Sequence, residues 1–125
     1  MDGNTLFPIF LKPDQINTLI VGGGFVGHEK LSAIINNNPL ARITLVADYI
    51  SEDVENLAAI SPNVKLIQRK FFITDLKGHR LVILATNDRA LNERIAKFAR
   101  REGILVNVAD TPDLCDFYLG SIVKK

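Results

Sequence analysis

The segment Ile20–Lys30, IVGGGFVGHEK, places three consecutive glycines and a fourth, Gly27, directly after a run of apolar residues. Gly22, Gly24 and Gly27 satisfy the pattern G-x-G-x-x-G between a predicted strand and a predicted helix. In that pattern the first glycine permits a tight turn, and the second lets the backbone approach a pyrophosphate. The third lets the helix pack closely on the sheet. The segment therefore predicts a phosphate-binding turn at a helix start.

An acidic residue stands where this pattern requires one. Asp48 lies twenty-one residues after Gly27, at the end of the second apolar run. A carboxylate there accepts hydrogen bonds from ribose hydroxyls and repels a 2′-phosphate, so NAD is the predicted dinucleotide. Two alternatives remain open. The glycines could serve only the packing of a strand against a helix, and Asp48 could merely begin the turn before a helix capped by Ser51.

Short β-branched runs alternate with amphipathic stretches along the rest of the chain. Five runs are predicted strands: Asn17–Val21, Arg42–Ala47, Val64–Gln68, Arg80–Thr86 and Ile104–Ala109. Helical stripes are formed by Val54, Leu57 and Ala58, and by Leu91, Ile95, Phe98 and Ala99. Several strands are apolar at consecutive positions, which is typical of a sheet covered on both faces. The pattern predicts an α/β fold with a Rossmann-type, doubly wound parallel sheet that binds NAD(P), as a single domain over residues 1–125.

Composition limits the classes of function. The 125 residues are 47% hydrophobic and 23% charged, with a net charge of +1, which gives no electrostatic case for nucleic acid or a membrane surface. The single cysteine, Cys115, has no partner for a disulfide and no nearby histidine, so no metal site is predicted. Without a signal or membrane-spanning pattern, we expect a cytoplasmic protein. A modest basic cluster, Arg69–Phe72 together with Lys77, His79 and Arg80, is expected to be solvated surface, with contact to a polyanionic ligand as the alternative.

Two polar segments follow strands at the sheet edge where ligands gather in this class of fold. They are Ala85–Asp88, ATND, and Asn107–Pro112, NVADTP. Thr86 in the first segment is a predicted cofactor contact, and Asp88 or its neighbour is expected to cap the following helix. No helix pattern begins after Asp110. Its carboxylate could accept a proton while a hydride leaves for a nicotinamide, or it could belong to a simple turn.

Five segments in this order and spacing resemble the precorrin-2 dehydrogenases, which form the N-terminal domain of sirohaem synthases. They are LFPIFL, VGGGFVGHEK, ATND, ILVNVAD and PDLCDFYLGSIVKK, and together they span nearly the whole chain. The PIFL entry and the late NVAD and CDF residues are not general features of dinucleotide-binding folds. The resemblance implies NAD-dependent oxidation of precorrin-2 to sirohydrochlorin, and in some members insertion of Fe²⁺ as well.

The resemblance also implies roles for individual residues. Asp110 matches the family's implicated catalytic aspartate, and its NAD contacts fall on Phe25, Val26, Asp48 and Tyr49. The family continues past the end of this sequence into a region that supports dimerisation and part of the tetrapyrrole site. We therefore expect a homodimer only in a full-length context. The alternatives are a non-catalytic NAD-sensing domain, like those that regulate potassium channels, and a degenerate domain kept for assembly.

Overall fold

The computed structural model describes residues 5–119, in which strands and helices alternate as predicted. Three α-helices and five strands form the frame, and two 3-10 turns lie in the connections. In chain order the elements are β1 (Asn17–Gly23), α1 (Phe25–Asn37), β2 (Arg42–Ile50), α2 (Glu52–Ala59), β3 (Val64–Gln68), β4 (Leu81–Leu84), α3 (Arg89–Arg101) and β5 (Leu105–Val108). The 3-10 turns are Ile73–Leu76 and Pro112–Leu114.

The five strands form one parallel sheet in the order β3-β2-β1-β4-β5. The chain moves outward from β1 through β2 to β3, then returns to the other side of β1 for β4 and β5. This order is that of the doubly wound Rossmann fold, so the predicted fold class is confirmed. All carboxyl ends of the strands meet at one edge of the sheet, and the point of reversal lies between β1 and β4.

Successive residues of β1 are buried in two different core layers. Leu19 and Val21 pack in a cluster with Ile95 of α3. Ile20 packs on the opposite face, in a cluster with Leu31 of α1. All three β1 residues are nearly or fully buried, which accounts for the consecutive apolar positions in the strand.

The helix ends follow the predicted signals. The Ser51 hydroxyl oxygen accepts a hydrogen bond from the Val54 amide at 3.3 Å at the start of α2. The Asp88 carboxylate accepts one from the Leu91 amide at 3.0 Å at the start of α3. Gly103 has φ +77°, the left-handed conformation expected after a helix. These side chains fix where α2 and α3 begin.

The strand ends differ from the prediction where the glycine turn meets the sheet. β1 and β2 run two and three residues further than expected, whereas β4 and β5 are shorter. Asp48 therefore lies within β2, and the alternative in which it begins the turn before α2 is wrong. Phe98, predicted on the apolar stripe of α3, is partly exposed, with the Arg101 guanidinium 5.3 Å from its ring centroid.

The first described residues precede β1 without regular secondary structure. Phe7 and Phe10 of the LFPIFL segment are mostly exposed. The Pro13 carbonyl accepts a hydrogen bond from the Arg42 amide at 2.9 Å, which ties the end of this segment to β2. The last part of the C-terminal motif, from Gly120 onward, lies outside the described residues.

Candidate functional site

Three of the four glycines where β1 leads into α1 are required by close backbone packing. Gly22 has φ +121°, and a Cβ there would lie 2.5 Å from the Ala85 carbonyl oxygen. A Cβ on Gly23 would collide with the carbonyl oxygen of Tyr49, and one on Gly27 with that of Gly22. The alternative of glycines kept for packing therefore applies to these three positions.

Gly24 is different from its neighbours. Apart from Gly24 and its two chain neighbours, no heavy atom of the described residues lies within 4 Å of the position a Cβ would occupy, so packing within them does not exclude a side chain there. Its backbone lies at the N-cap of α1, which has neither a side-chain cap nor an acidic residue in its first turn. By contrast, Ser51 and Asp88 cap the other two α-helices. The first amides of α1 are thus left without a side-chain acceptor, next to open space.

A cleft of about 590 Å³ opens at this point, along the carboxyl ends of the inner strands. Its size is in the range of small-molecule and cofactor sites. We call it the main cleft. All seven predicted cofactor residues line it: Gly22, Gly24, Phe25, Val26, Asp48, Tyr49 and Thr86. The structure thus brings these residues together from three separate segments, and their binding of a cofactor stays a prediction.

Asp48 reaches the main cleft because the pairing of β1 with β2 is irregular here. Val21 pairs with Val46, but Gly23 pairs with Ile50, so β2 has extra residues opposite the glycine turn. Asp48 and Tyr49 lie in this irregular stretch and are exposed. Among residues 5–119, no other side chain forms an ion pair or hydrogen bond with the Asp48 carboxylate. It is therefore available to ribose hydroxyls.

The turn after β4 is held by a buried asparagine that sequence reasoning missed. The Thr86 hydroxyl donates to the Asn92 side-chain oxygen at 2.5 Å, and the Asn92 side-chain NH₂ group donates to the Thr86 carbonyl at 3.1 Å. The Asp88 amide in turn donates to the Thr86 hydroxyl oxygen at 3.2 Å. Thr86 therefore faces the main cleft with its hydroxyl hydrogen already used. Its predicted cofactor contact would go through its oxygen or its backbone.

The outer wall of the main cleft was only partly foreseen from the sequence. Lys70 and Phe71 line it after β3, and Leu91 and Arg94 line it from α3. The basic cluster that includes Lys70 was expected to be solvated surface, and the contact with a polyanionic ligand was the alternative. Lys70 is exposed and also faces the cleft. The sequence does not mark Arg94 as a residue of the cleft, since a charged residue on an amphipathic helix normally lies on the solvent face.

Arg69, which directly precedes Lys70 in the chain, does not line the main cleft. Its guanidinium donates to both carboxylate oxygens of Asp75, at 2.8 and 2.9 Å, and lies 4.7 Å from the Phe72 ring centroid. The Phe72 amide also donates to Asp75, at 2.8 Å. The hydrogen bonds from Arg69, and after them the one from Phe72, hold the pKa of Asp75 below its ordinary value. Arg69 thus fixes the connection from β3 to β4.

Asp110, the predicted catalytic residue, lies at the same sheet edge but outside the main cleft. It follows β5 with φ +61° and its side chain is exposed. A depression of about 150 Å³ is lined by Asp110 together with Lys30 of α1, Cys115 and Tyr118. We call it the Asp110 depression. The structure does not bring Asp110 into contact with the seven predicted cofactor residues.

Cys115 and Asp116 attach the chain after β5 to that edge strand. The Val108 amide donates to the Cys115 sulfur at 3.1 Å, and the thiol donates to the Val108 carbonyl at 3.3 Å. The Asp116 carboxylate accepts from the Val106 amide at 3.0 Å and pairs with Arg100 at 3.2 Å. The late CDF motif thus covers the free edge of β5, with the Cys115 thiol bonded to the Val108 backbone.

Residues 5–119 contain neither a cluster of metal ligands nor a helix that could span a membrane. No group of three or more His, Cys, Asp or Glu side chains is placed to hold a metal ion. No helix in this range is long and apolar enough to cross a membrane.

Comparisons with known proteins agree with the motifs. The chain is 42% identical over 118 residues to siroheme synthase of Methylococcus capsulatus and 38% identical to that of Nitrosomonas europaea. Each match covers 94% of this chain, which spans only 24% of either relative. Among solved structures, SirC, a precorrin-2 dehydrogenase, matches 94% of this chain and 54% of its own with a TM-score of 0.68 and 24% identity.

A more distant match shows how general the fold is. A lactate dehydrogenase of Cryptosporidium parvum covers 82% of this chain and 37% of its own, with a TM-score of 0.50 at 15% identity. A family model described as "Putative NAD(P)-binding" matches residues 9–121. The resemblance predicted from the motifs is confirmed, and the chain belongs to this NAD(P)-binding family.

Proposed function

We propose that this chain binds NAD in the main cleft and takes part in the oxidation of precorrin-2 to sirohydrochlorin. The observation that supports binding most directly is Gly24, whose missing side chain serves no packing contact and adjoins the uncapped start of α1. A pyrophosphate fits both features, because it needs close backbone approach and unpaired amides. The similarity to siroheme synthases and to a precorrin-2 dehydrogenase supports the substrate.

In this proposal the main cleft binds NAD, and the Asp110 depression takes part in the proton transfer. Bound NAD⁺ supplies the hydride acceptor. The first amides of α1 would hold the pyrophosphate, and the Asp48 carboxylate would accept hydrogen bonds from the ribose. Removing two hydrogens from the substrate releases one hydride and one proton, and Asp110 would take the proton on its carboxylate. Its exposure at the sheet edge leaves it open to a large substrate.

The test is to incubate the protein with precorrin-2 and NAD⁺ without oxygen. We expect NADH absorbance to rise together with the spectrum of sirohydrochlorin, in equal amounts. Omitting either reactant is the control. No NADH above that control, with the protein folded and NAD bound, would refute the oxidation.

A second function is favoured by the position of Asp110 outside the main cleft. The chain would then bind NAD without oxidising anything, as a sensing domain does. Calorimetry that detects NAD binding, together with no turnover of precorrin-2, would favour this reading. Insertion of Fe²⁺, a homodimer in the full-length protein and a cytoplasmic location stay predictions.

A further inference from the structure

Lys30 on α1 is placed unlike an ordinary surface lysine. It lies one turn after Gly27, and its side chain is only 23% exposed. It faces the end of β5 across the Asp110 depression. Lysine normally extends its ammonium group into water, so a lysine drawn against the protein needs a reason.

No close ion pair within residues 5–119 holds the Lys30 ammonium group. The single ion pair of Lys30 within residues 5–119 is with its chain neighbour Glu29, at 3.9 Å, and the Glu29 side chain is 60% exposed. Such a long, exposed contact contributes little. No hydrogen bond from the Lys30 ammonium group to another described residue is formed. Its three N–H donors are therefore available to a ligand in the depression.

The other polar groups of the Asp110 depression are mostly used within the protein. Asn107 donates to the Phe117 carbonyl at 3.0 Å, and the Cys115 thiol is bonded to β5. Lys30, Asp110 and the exposed Tyr118 are left to face a ligand. A cation beside an anion and an exposed aromatic ring suit an acidic, partly apolar molecule.

We propose that Lys30 anchors a carboxylate of the tetrapyrrole beside Asp110. The inference rests on the proposed function, because that function supplies the substrate class. Precorrin-2 and sirohydrochlorin carry several carboxylates, and Asp110 alone would repel them. The Lys30 ammonium group offsets this repulsion and holds the substrate next to the carboxylate that takes its proton. Lys30 is thus a positioning residue and takes no part in the proton or hydride transfer.

Binding without turnover tests the anchor. Sirohydrochlorin is titrated into the wild-type protein and into Lys30→Met, Lys30→Arg and Lys97→Met, with its fluorescence as the signal. Lys97 is an exposed lysine of α3 outside both sites and serves as the matched control. A charge-assisted hydrogen bond of ordinary strength predicts about tenfold to hundredfold weaker binding for Lys30→Met. Lys30→Arg should recover most of it, and Lys97→Met should bind as wild type.

Measurements of turnover distinguish a failure of the Lys30 proposal from a failure of the proposed oxidation. With precorrin-2, Lys30→Met should raise KM by a similar factor, with kcat changed far less and the affinity for NAD unchanged. Sirohydrochlorin binding that is the same in Lys30→Met and Lys97→Met, or absent from the folded wild type, would overturn the anchor. Sirohydrochlorin binding that depends on Lys30, in a protein that forms no NADH, would support the anchor and refute the oxidation.

Discussion

The glycines of the turn from β1 to α1 lack side chains for two different reasons. Gly22, Gly23 and Gly27 lack side chains because neighbouring carbonyl groups occupy the space. Gly24 lacks one although the space is open. The motif predicted the turn, the close packing and the backbone approach, and it assigned them to three glycines. It could not assign Gly23, because that clash comes from the irregular pairing of β1 with β2.

This difference predicts opposite effects for two similar substitutions. Gly24→Val should abolish NAD binding and lower the free energy of unfolding by about 1 kcal/mol or less, the cost of a poor N-cap residue. Gly27→Val should destabilise the fold severely, because the new side chain meets the Gly22 carbonyl. Calorimetry with NAD and thermal unfolding measure the two effects. Normal NAD binding by folded Gly24→Val would remove Gly24 from the nucleotide site.

The exposed carboxylate of Asp48 predicts the choice of dinucleotide. A 2′-phosphate on the ribose would face this negative charge, so NAD should bind about tenfold tighter than NADP. Asp48→Asn should reduce the difference in affinity between NAD and NADP, since the neutral side-chain amide does not repel the phosphate. Asp53→Asn is the matched control, because Asp53 is an exposed aspartate of α2 outside the main cleft. NADP binding by the wild type as tight as that of NAD would remove Asp48 from the ribose site.

The residues that sequence reasoning missed share one property. Arg94 and Asn92 both lie on α3, whose facing side depends on the sheet order, and neither their type nor their spacing marks them. Asp48 and Asp110 were found because each directly follows an apolar run. Residues at strand ends can therefore be predicted from the sequence, whereas residues on helix faces that complete a site need the three-dimensional arrangement.

At the scale of elements, the connection from β3 to β4 depends on one carboxylate. Asp75, 10% exposed, accepts hydrogen bonds from the guanidinium of Arg69 and the amide of Phe72. These bonds hold the 3-10 turn Ile73–Leu76 against the end of β3, and the residues after β3 line the main cleft. Sequence analysis placed no helix between these strands and gave no sign of this ion pair, since two charged residues six positions apart leave no periodic pattern.

The Asp75 ion pair predicts how stability changes in acid. Its pKa in the folded protein lies below the unfolded value of 3.8, so its contribution is present above that value and is lost as the pH falls through the folded pKa. Asp75→Asn should lower the free energy of unfolding by about 1–2 kcal/mol at neutral pH. As the pH is lowered, the free energy of unfolding of Asp75→Asn should then fall less steeply than that of the wild type. Urea unfolding between neutral pH and pH of about 2 measures both.

The control for this prediction is Asp113→Asn, an exposed aspartate whose side chain has no ion pair or hydrogen bond within residues 5–119. It should follow the wild-type curve at every pH. An Asp75→Asn curve parallel to the wild type throughout the acid range would show that the carboxylate does not stabilise the connection.

At the scale of the molecule, the sheet order sets the distance between the two sites. β1, β2 and β4 lie side by side and form the main cleft, whereas β5 at the sheet edge carries Asp110 to its own depression. The order followed from alternating strands and helices, with β4 returning beside β1. The separation of the two sites could not be predicted from the sequence, because it depends on how the chain after β5 turns back to cover that strand.

This separation makes Asp110→Asn the variant that distinguishes an enzyme from a sensor. Asparagine adopts positive φ readily, so the turn at φ +61° should persist while the proton acceptor is lost. Turnover should fall by about 10²–10⁴, the usual contribution of a general base, and NAD affinity should stay unchanged because Asp110 lies outside the main cleft. Asp113→Asn, three residues away and outside both sites, should retain wild-type turnover. Steady-state kinetics with precorrin-2 and calorimetry with NAD test the two halves separately. Unchanged turnover in Asp110→Asn would mean that this carboxylate only shapes the loop before Pro112, and that the proton leaves to water or to another group.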